Sequence, residues 1–241
     1  MNIAVILAGG VGSRVGENVP KQFIEICGKP ILAYTVEKFQ NHPQIDAIEI
    51  VCIESYLSYM EEMKQKYGLD KIRWIAKGGA SFQESVLNGI SNLRDKIQGD
   101  DIVLVHFGAS PFVGEEIITD AIRVCKEKGN AISTTSFYLL SGIKDDETKS
   151  STWIDRDTIA CMNSPHAFRY SYIDNLYKKA IETGAIDEVE PHTTTLMQYM
   201  GETVYFSYGT QTNIKITTKE DLDLFEGYVL LQQKRKEKGE A

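Results

Sequence analysis

Cysteine is scarce in this chain, and the four that occur (Cys27, Cys52, Cys125, Cys161) never fall in a C-x-x-C pair. The spacing speaks against a disulfide framework and a zinc knot, and the apolar or small neighbours of the four suit reduced thiols in a core. Long apolar runs are missing too. Ile3–Leu7 is too short for a signal peptide or a membrane span, and no later segment reaches about 18 apolar residues, which leads us to expect a cytoplasmic protein with no membrane partner. A basic balance is absent: 26 Lys and Arg stand against 34 Asp and Glu, for a net charge of −8. That excess speaks against a basic face for a nucleic-acid backbone and leaves small nucleotides as ligands. Repeats and low-complexity tracts are lacking, and the 241 residues, 42% of them hydrophobic, suit a single domain with one α/β core.

What is present is concentrated near the start. The strand-like run Ile3–Leu7 passes into Ala8-Gly9-Gly10-Val11-Gly12-Ser13-Arg14-Val15-Gly16, followed by Pro20-Lys21-Gln22-Phe23. Glycines without a Cβ let backbone N–H groups approach anionic oxygens, and two separated cations, Arg14 and Lys21, neutralise what the amides hold. The loop is not a Walker loop, since Gly-Lys-Ser/Thr is missing, and its glycine spacing is not G-x-G-x-x-G. Ala8, Gly9, Gly10 and Gly12 are the expected phosphate cradle, with Arg14 and Lys21 as catalytic cations.

Further on, strand-like runs at Ala47–Ile53, Ile72–Ala76, Ile102–His106, Ala131–Tyr138 and Thr203–Ser207 alternate with helical patterns. The helices are expected at Ile31–Gln40, Ser55–Tyr67, Phe82–Leu93, Gly114–Lys126 and Ser171–Glu182. This alternation predicts βαβ units and a mostly parallel sheet whose ligands sit beyond the carboxyl ends of the strands. Ser141–Met162 breaks the rhythm, with a charged turn between two short β-like runs, Phe137–Leu140 and Thr152–Ile154. Such a hairpin is marginal in water by itself and is expected to pack against something. Gln232–Ala241 reads as a fraying, charged helix end.

The G-G-x-G-x-R loop with its Pro-Lys-Gln-Phe ending resembles the cytidylyltransferases that act on 2-C-methyl-D-erythritol 4-phosphate or ribitol 5-phosphate. Further points of likeness are Gly78-Gly79-Ala80, Gln83–Gly89, Val103–Val113, Ile154-Asp155-Arg156 and Asn213–Leu222, so the resemblance covers nearly the whole chain. It implies a Rossmann-like nucleotidyltransferase fold with helices on both faces of the sheet and a protruding β-arm at about residues 141–162 that embraces a second subunit in a homodimer. It also implies CTP as the nucleotide, a polyol phosphate as the acceptor (ribitol 5-phosphate first), Mg2+ as cofactor, and CDP-polyol and pyrophosphate as products, with cell-surface polymer synthesis as the setting. By the same resemblance Gly79, Ala80 and Ser85 meet the cytosine, Lys215 contacts phosphate, and Arg156 crosses the dimer to the acceptor phosphate. Read without the resemblance, Gly78-Gly79 is a turn, Ser85 a helix-capping residue, Lys215 a surface strand lysine and Arg156 a turn arginine. UTP stays open as an alternative nucleotide.

The chain departs from the family pattern where the acceptor and metal are expected. His-Asp-Ala-Ala-Arg-Pro reads His106-Phe107-Gly108-Ala109-Ser110-Pro111, Gly-Gly-x-x-Arg ends in Phe82, and Gln-Thr-Pro-Gln reads Asn163-Ser164-Pro165-His166. Thr-Asp-Thr-Ile-Lys reads Leu140-Ser141-Gly142-Ile143-Lys144, the stretch Thr-Asp-Glu/Asp-Ala-Ser reads Pro191-His192-Thr193-Thr194-Thr195, and Gly-Asp reads Gly209-Thr210. Phenylalanine at 107 offers no oxygen to a hard cation, so Mg2+ is expected on the nucleotide's own phosphates and no protein metal ligand is assigned. A softer metal on His106, His166 and His192 is the lesser possibility. Two expectations follow: an active enzyme with a rebuilt acceptor pocket, or a CTP-binding pseudoenzyme.

Overall fold

The computed structural model describes residues 1–10 and 19–239. Asn2–Ala8 forms β1, whose Ile3, Ala4, Val5 and Ile6 are shut off from solvent on both faces. Continuous burial of this kind belongs to an inner parallel strand covered by helices on each side. Glu25–Ile26 (β2) and Lys29–Pro30 (β3) make a small hairpin, with Cys27 and Gly28 at its tip at φ +51° and +77°. Two left-handed residues are what a tight hairpin turn requires. Cys27 is therefore exposed rather than a core thiol, a correction to the expectation; Cys52 and Cys125 are buried.

Ile31–Gln40 (α1) starts and ends where its periodicity predicts, Ala47–Cys52 (β4) is buried along its full length, and Leu57–Tyr67 (α2) follows a single 3-10 turn. Ile72–Lys77 (β5), Phe82–Asn92 (α3), Ile102–Phe107 (β6) and Glu115–Lys128 (α4) continue the alternation. α4 carries Glu115 and Glu116 in its first turn and Lys126 and Lys128 in its last, each complementing the helix dipole, and it stops at the left-handed Gly129. Asn130–Ser136 is β7 and ends two residues short of its expected limit.

The arm hairpin pairs Gly142–Ile143 (β8) with Thr152–Trp153 (β9), so its first strand lies a few residues later than predicted. Ala160–Arg169 (β10) is a ten-residue strand absent from the expectation, and its first residues fall within the stretch expected to form the arm. Pro165 cannot donate to a ladder, and the register shifts between Asn163 and His166, so the local pattern does not read as a strand. Tyr170–Thr183 (α5) and Thr193–Tyr199 (α6) precede β11, which is only Phe206–Tyr208 rather than a strand from Thr203. The charged tail belongs to a long helix, Lys219–Glu237 (α7), started by a capping box between Thr218 and Asp221.

Seven strands form one sheet in the order β11-β7-β10-β6-β1-β4-β5. All neighbours are parallel except β10, which runs antiparallel to both β6 and β7. One face is covered by α1, α2 and α4, through Val36, Phe39, Met60 and Ile118; the other by α3 and α5, through Val86, Ile90, Ile173 and Tyr177. No helix among the described residues is long and apolar enough to cross a membrane.

One buried group sets a pH dependence. Glu49 in β4 is wholly inaccessible, one carboxyl oxygen accepts from Asn92 Nδ2 at 2.6 Å, and the other has no partner. Burial pushes its pKa from 4.5 up to about 8, against the smaller effects of Asn92 and Lys96. The folded state then binds a proton that the unfolded chain has released, so this contribution to stability is complete below pH 4.5 and is lost as pH rises to about 8. Glu49→Gln is expected to flatten that loss and to be the more stable variant at pH 8.5, a difference readable in urea melts run at both ends of the range.

Candidate active site

A cleft of about 460 Å³ lies beyond the carboxyl ends of β1, β4, β5 and β6, where an open parallel sheet places its ligands. The glycine loop borders one side. Gln22, buried in the 3-10 turn Lys21–Phe23, donates from Nε2 to the carbonyls of Ala8 and Gly10, both at 2.8 Å. This clamp holds the loop's first residues against the turn and brings Lys21 to the cleft wall with Gly9 and Gly10. Ala8 is not on the wall: its side chain is buried and its carbonyl is taken by Gln22. Gly12 and Arg14 lie outside the described residues.

The opposite side is the entry to α3. Ser81, not Ser85, is the N-cap, its Oγ accepting from the Glu84 N–H at 3.1 Å. Ser85 instead accepts from the Gly79 N–H at 3.0 Å, and Glu84 turns back to accept from the Ala80 N–H at 2.7 Å. Both amides expected near a base are therefore engaged within the loop, while Gly79, Ala80 and Ser85 all line the cleft. A side chain at Gly79 would place its Cβ 2.4 Å from Glu84 Cγ, so only glycine fits here without expelling Glu84.

The third wall comes from the segment before α7. Ile216 donates its N–H to Ala109 O at 2.8 Å, and Asn213 Nδ2 donates to Ser164 O at 2.8 Å, which pins the segment to the loop after β6 and to β10. It is a loop rather than a strand, and it sets Lys215 and Thr217 into the cleft. Lys215 Nζ lies 3.8 Å from the centre of the Phe107 ring. Asp221 pays a burial penalty that the N–H groups of Thr217 and Thr218, with Lys21, outweigh, so its pKa lies below the usual carboxylate value. Lys21 and Lys215, 194 positions apart in the chain, thus border one cavity.

Behind Phe107 sit the histidines. Burial lowers His106 to about 4, and its Nε2 meets Ser110 O at 3.0 Å. His166 falls to about 3 through burial, then through His106, His192 and Lys215. His192 is lowered by burial, packs on Phe82 at 4.8 Å between ring centres, and lies near Glu190. Among the described residues no three His, Cys, Asp or Glu side chains are grouped to hold a metal, so the three-histidine metal expectation has no geometric support. Among the described residues no carboxylate lines the cleft, and the oxygens these residues offer there to a hard cation such as Mg2+ belong to hydroxyl and amide groups.

Arg156 lies elsewhere. It follows the arm in a 3-10 turn and donates from Nη1 to its own chain's Tyr138 O at 2.7 Å, outside the cleft. Beside its charged turn the arm exposes Ile143 and Trp153, the latter to 76%, and Leu140 just before it is 89% exposed. Sequence reasoning missed the clamping role of Gln22, although the residue belongs to the Pro-Lys-Gln-Phe motif it singled out. It also missed the contact of Phe107 with Lys215, for which no local signal exists.

Residues 2–231 match the family described as 2-C-methyl-D-erythritol 4-phosphate cytidylyltransferase (IspD). A ribitol-5-phosphate cytidylyltransferase of Lacticaseibacillus paracasei is 38% identical over 95% of this chain and 98% of its own. A 2-C-methyl-D-erythritol 4-phosphate cytidylyltransferase of Clostridium acetobutylicum is 39% identical over 92% of this chain and 94% of its own. Among solved structures, 4-diphosphocytidyl-2C-methyl-D-erythritol synthase of Anaerococcus prevotii superposes with a TM-score of 0.80 at 25% identity, covering 95% of this chain and 98% of that one. Sheet order, cleft position and these likenesses define a nucleotidyltransferase. The chain belongs to the IspD cytidylyltransferase family.

Proposed function

We propose that this enzyme transfers CMP from CTP to ribitol 5-phosphate or a closely related alditol phosphate. The observation that carries the reading is the meeting of Lys21 and Lys215 on a cleft edged by Gly9, Gly10, Gly79 and Ala80. The likeness to ribitol-5-phosphate cytidylyltransferases supports the choice of acceptor. A phosphate oxygen of the acceptor attacks the α-phosphorus of CTP, the bond from that phosphorus to the bridging oxygen breaks, and pyrophosphate leaves with the electron pair. The attacking phosphate is already anionic at neutral pH, so no side chain has to remove a proton. Catalysis reduces to in-line placement and to neutralising charge on the transferring phosphate, the work assigned to Arg14, Lys21 and Lys215. Mg2+ would be carried by the nucleotide's own phosphates and would neutralise charge there, with no described carboxylate in the cleft to hold it. A need for CTP supports a cytoplasmic setting.

Pyrophosphate release with CTP, and with UTP as a control, against ribitol 5-phosphate, methylerythritol 4-phosphate and glycerol phosphates tests the reading. Release with ribitol 5-phosphate and CTP is the expected result. Silence with every acceptor while CTP still binds would transfer support to the CTP-binding pseudoenzyme, the reading that Phe107 favours by removing a carboxylate.

The reading includes a homodimer in which the arm's exposed Ile143 and Trp153 are covered by a second copy and Arg156 of the partner subunit completes the acceptor site. Lys21→Ala and Arg156→Ala, each weak alone, are expected to recover activity when co-folded, because each mixed dimer then holds one site with both residues intact. No recovery on mixing, with dimers seen by light scattering, would place Arg156 in the site of its own chain, and full activity of Arg156→Ala alone would place it outside the site of either chain.

A further inference from the structure

A second cavity, of about 640 Å³, lies between α1, α7, the β2–β3 hairpin and the loop after β6, and among the described residues it shares no lining side chain with the reaction cleft. One side of it is aromatic. Tyr34 meets Phe225 edge-on at 5.2 Å between ring centres, and Tyr228 stacks on Phe225 at 6.5 Å. Three ammonium groups, of Lys29, Lys38 and Lys236, and two carboxylates, of Glu37 and Glu115, share the wall. The three cations are not equivalent. Lys29 pairs with Glu37, and its Nζ lies 4.5 Å from the centre of the Tyr34 ring. Lys38 on α1 is half-buried, and among the described residues no hydrogen bond or salt bridge holds its ammonium. Burial lowers its pKa; Glu37 opposes this, while Lys236 from α7 and then Lys29 add to it.

We propose that Lys38 and Lys236 form a two-point site for a small phosphate-bearing anion in the cavity between α1 and α7. A half-buried ammonium whose neighbouring carboxylate, Glu37, is already taken by Lys29 is an unfavourable arrangement, and a second ammonium reaching it from another helix worsens it. An arriving anion reverses both effects, because it pairs with each cation and favours the protonated form of Lys38. The chain as a whole carries a net charge of −8, so a wall where ammonium groups outnumber carboxylates runs against its overall balance. Aromatic surface beside the cations lowers the local dielectric and strengthens an attraction that water would otherwise weaken. A phosphate, with oxygens disposed on all sides, can meet cations from two helices at once, whereas a carboxylate presents its two oxygens to one side. The volume lies within the range of small-molecule sites and admits a phosphomonoester or pyrophosphate.

The site is separate from the cytidylyl-transfer cleft, so its test does not depend on that activity. Trace acetylation of the whole protein, read lysine by lysine in a mass spectrometer, reports the free amine of Lys38. Pyrophosphate at about ten times its dissociation constant is expected to lower the labelling of Lys38 roughly tenfold, with the exposed Lys126 and Lys179 on α4 and α5 unchanged. Lys236→Gln should remove most of that protection, and sodium chloride at the same ionic strength should give none. In calorimetry the wild-type protein is expected to take up one more pyrophosphate than Lys38→Gln, which separates this site from the cleft. Parallel titrations with inorganic phosphate and ribitol 5-phosphate distinguish the sources: tighter protection by the ester assigns the site to a phosphomonoester, and tighter protection by pyrophosphate to the leaving group of nucleotidyl transfer. Lys38 labelling unmoved by all three anions, protection that sodium chloride matches or that survives in full in Lys236→Gln, or equal uptake by wild type and Lys38→Gln would overturn the proposal.

Discussion

Lys21→Ala is expected to slow pyrophosphate release by about 10²–10³-fold, the usual cost of removing one preorganised donor from the charge-stabilising set of a transferase. The lysine stands in a 3-10 turn whose next residue, Gln22, is buried and bonded to the glycine loop, so its backbone does not have to order when substrate arrives. A cation held in advance stabilises the transition state without reorganising, and this is why a single side chain carries so large an effect. Its neighbour Asp221 is occupied by the N–H groups of Thr217 and Thr218, both at under 3 Å, which limits how far it screens Lys21. Lys21→Arg should keep part of the rate, because charge is preserved while the geometry of a compact ammonium is not. The check is single-turnover kinetics at saturating CTP. A rate for Lys21→Ala within threefold of wild type would remove Lys21 from the catalytic set, and unchanged binding with a lost rate would place its action in the transition state.

Gln22→Leu is the second large effect, and it falls on stability and nucleotide affinity together. The substitution keeps volume but removes the N–H donors that Ala8 O and Gly10 O accept, at a cost of about 2 kcal/mol, taking roughly 1 kcal/mol for each neutral hydrogen bond lost. Freed from the clamp, Gly9 and Gly10 have to be ordered by the nucleotide itself, so KM for CTP should rise. Gln22→Glu should be worse than Gln22→Leu at pH 8, since an ionised carboxylate faces two carbonyl oxygens, and should recover towards acid pH as a protonated carboxyl donates again. Urea melts and CTP titrations on the pair check both statements. Equal stability of the two variants at pH 8 would mean that the Gln22 amide does not hold the loop.

Some of the architecture was legible residue by residue. Ile31–Gln40 is delimited by Pro30 and by its own periodicity, and the structure gives it those bounds. β1, β4 and β6 read as strands because short, largely apolar runs, interrupted only by Glu49 in β4 and His106 in β6, have nowhere to lie but between two helical layers. β10 shows the opposite case. Asn163-Ser164-Pro165-His166 contradicts a strand locally, yet β6 and β7 offer it two edges to pair with, and that pairing outweighs propensity. Cys27 was misplaced because an apolar neighbourhood in sequence says nothing about a hairpin tip, where φ near +51° turns the side chain outwards. At the site, Ser85 lines the cleft and accepts from the Gly79 N–H, and the capping role considered for it belongs to Ser81.

The amino-acid sequence by itself determined the class of fold, the glycine loop with its following Pro-Lys-Gln-Phe, and the membership in a cytidylyl-transferring family. These rest on short-range patterns, in which apolar period, glycine spacing and motif are all contained within a few turns of chain. Only the tertiary structure decided that Lys21 and Lys215 share one cleft, that Gln22 bonds the carbonyls of Ala8 and Gly10, that Glu49 is buried with half its carboxyl unpaired, and that the Lys215 ammonium lies over the Phe107 ring. Each of these joins residues from separate elements, and the distance between them is set by the stacking of helices on both faces of a twisted sheet, a quantity that no local pattern encodes.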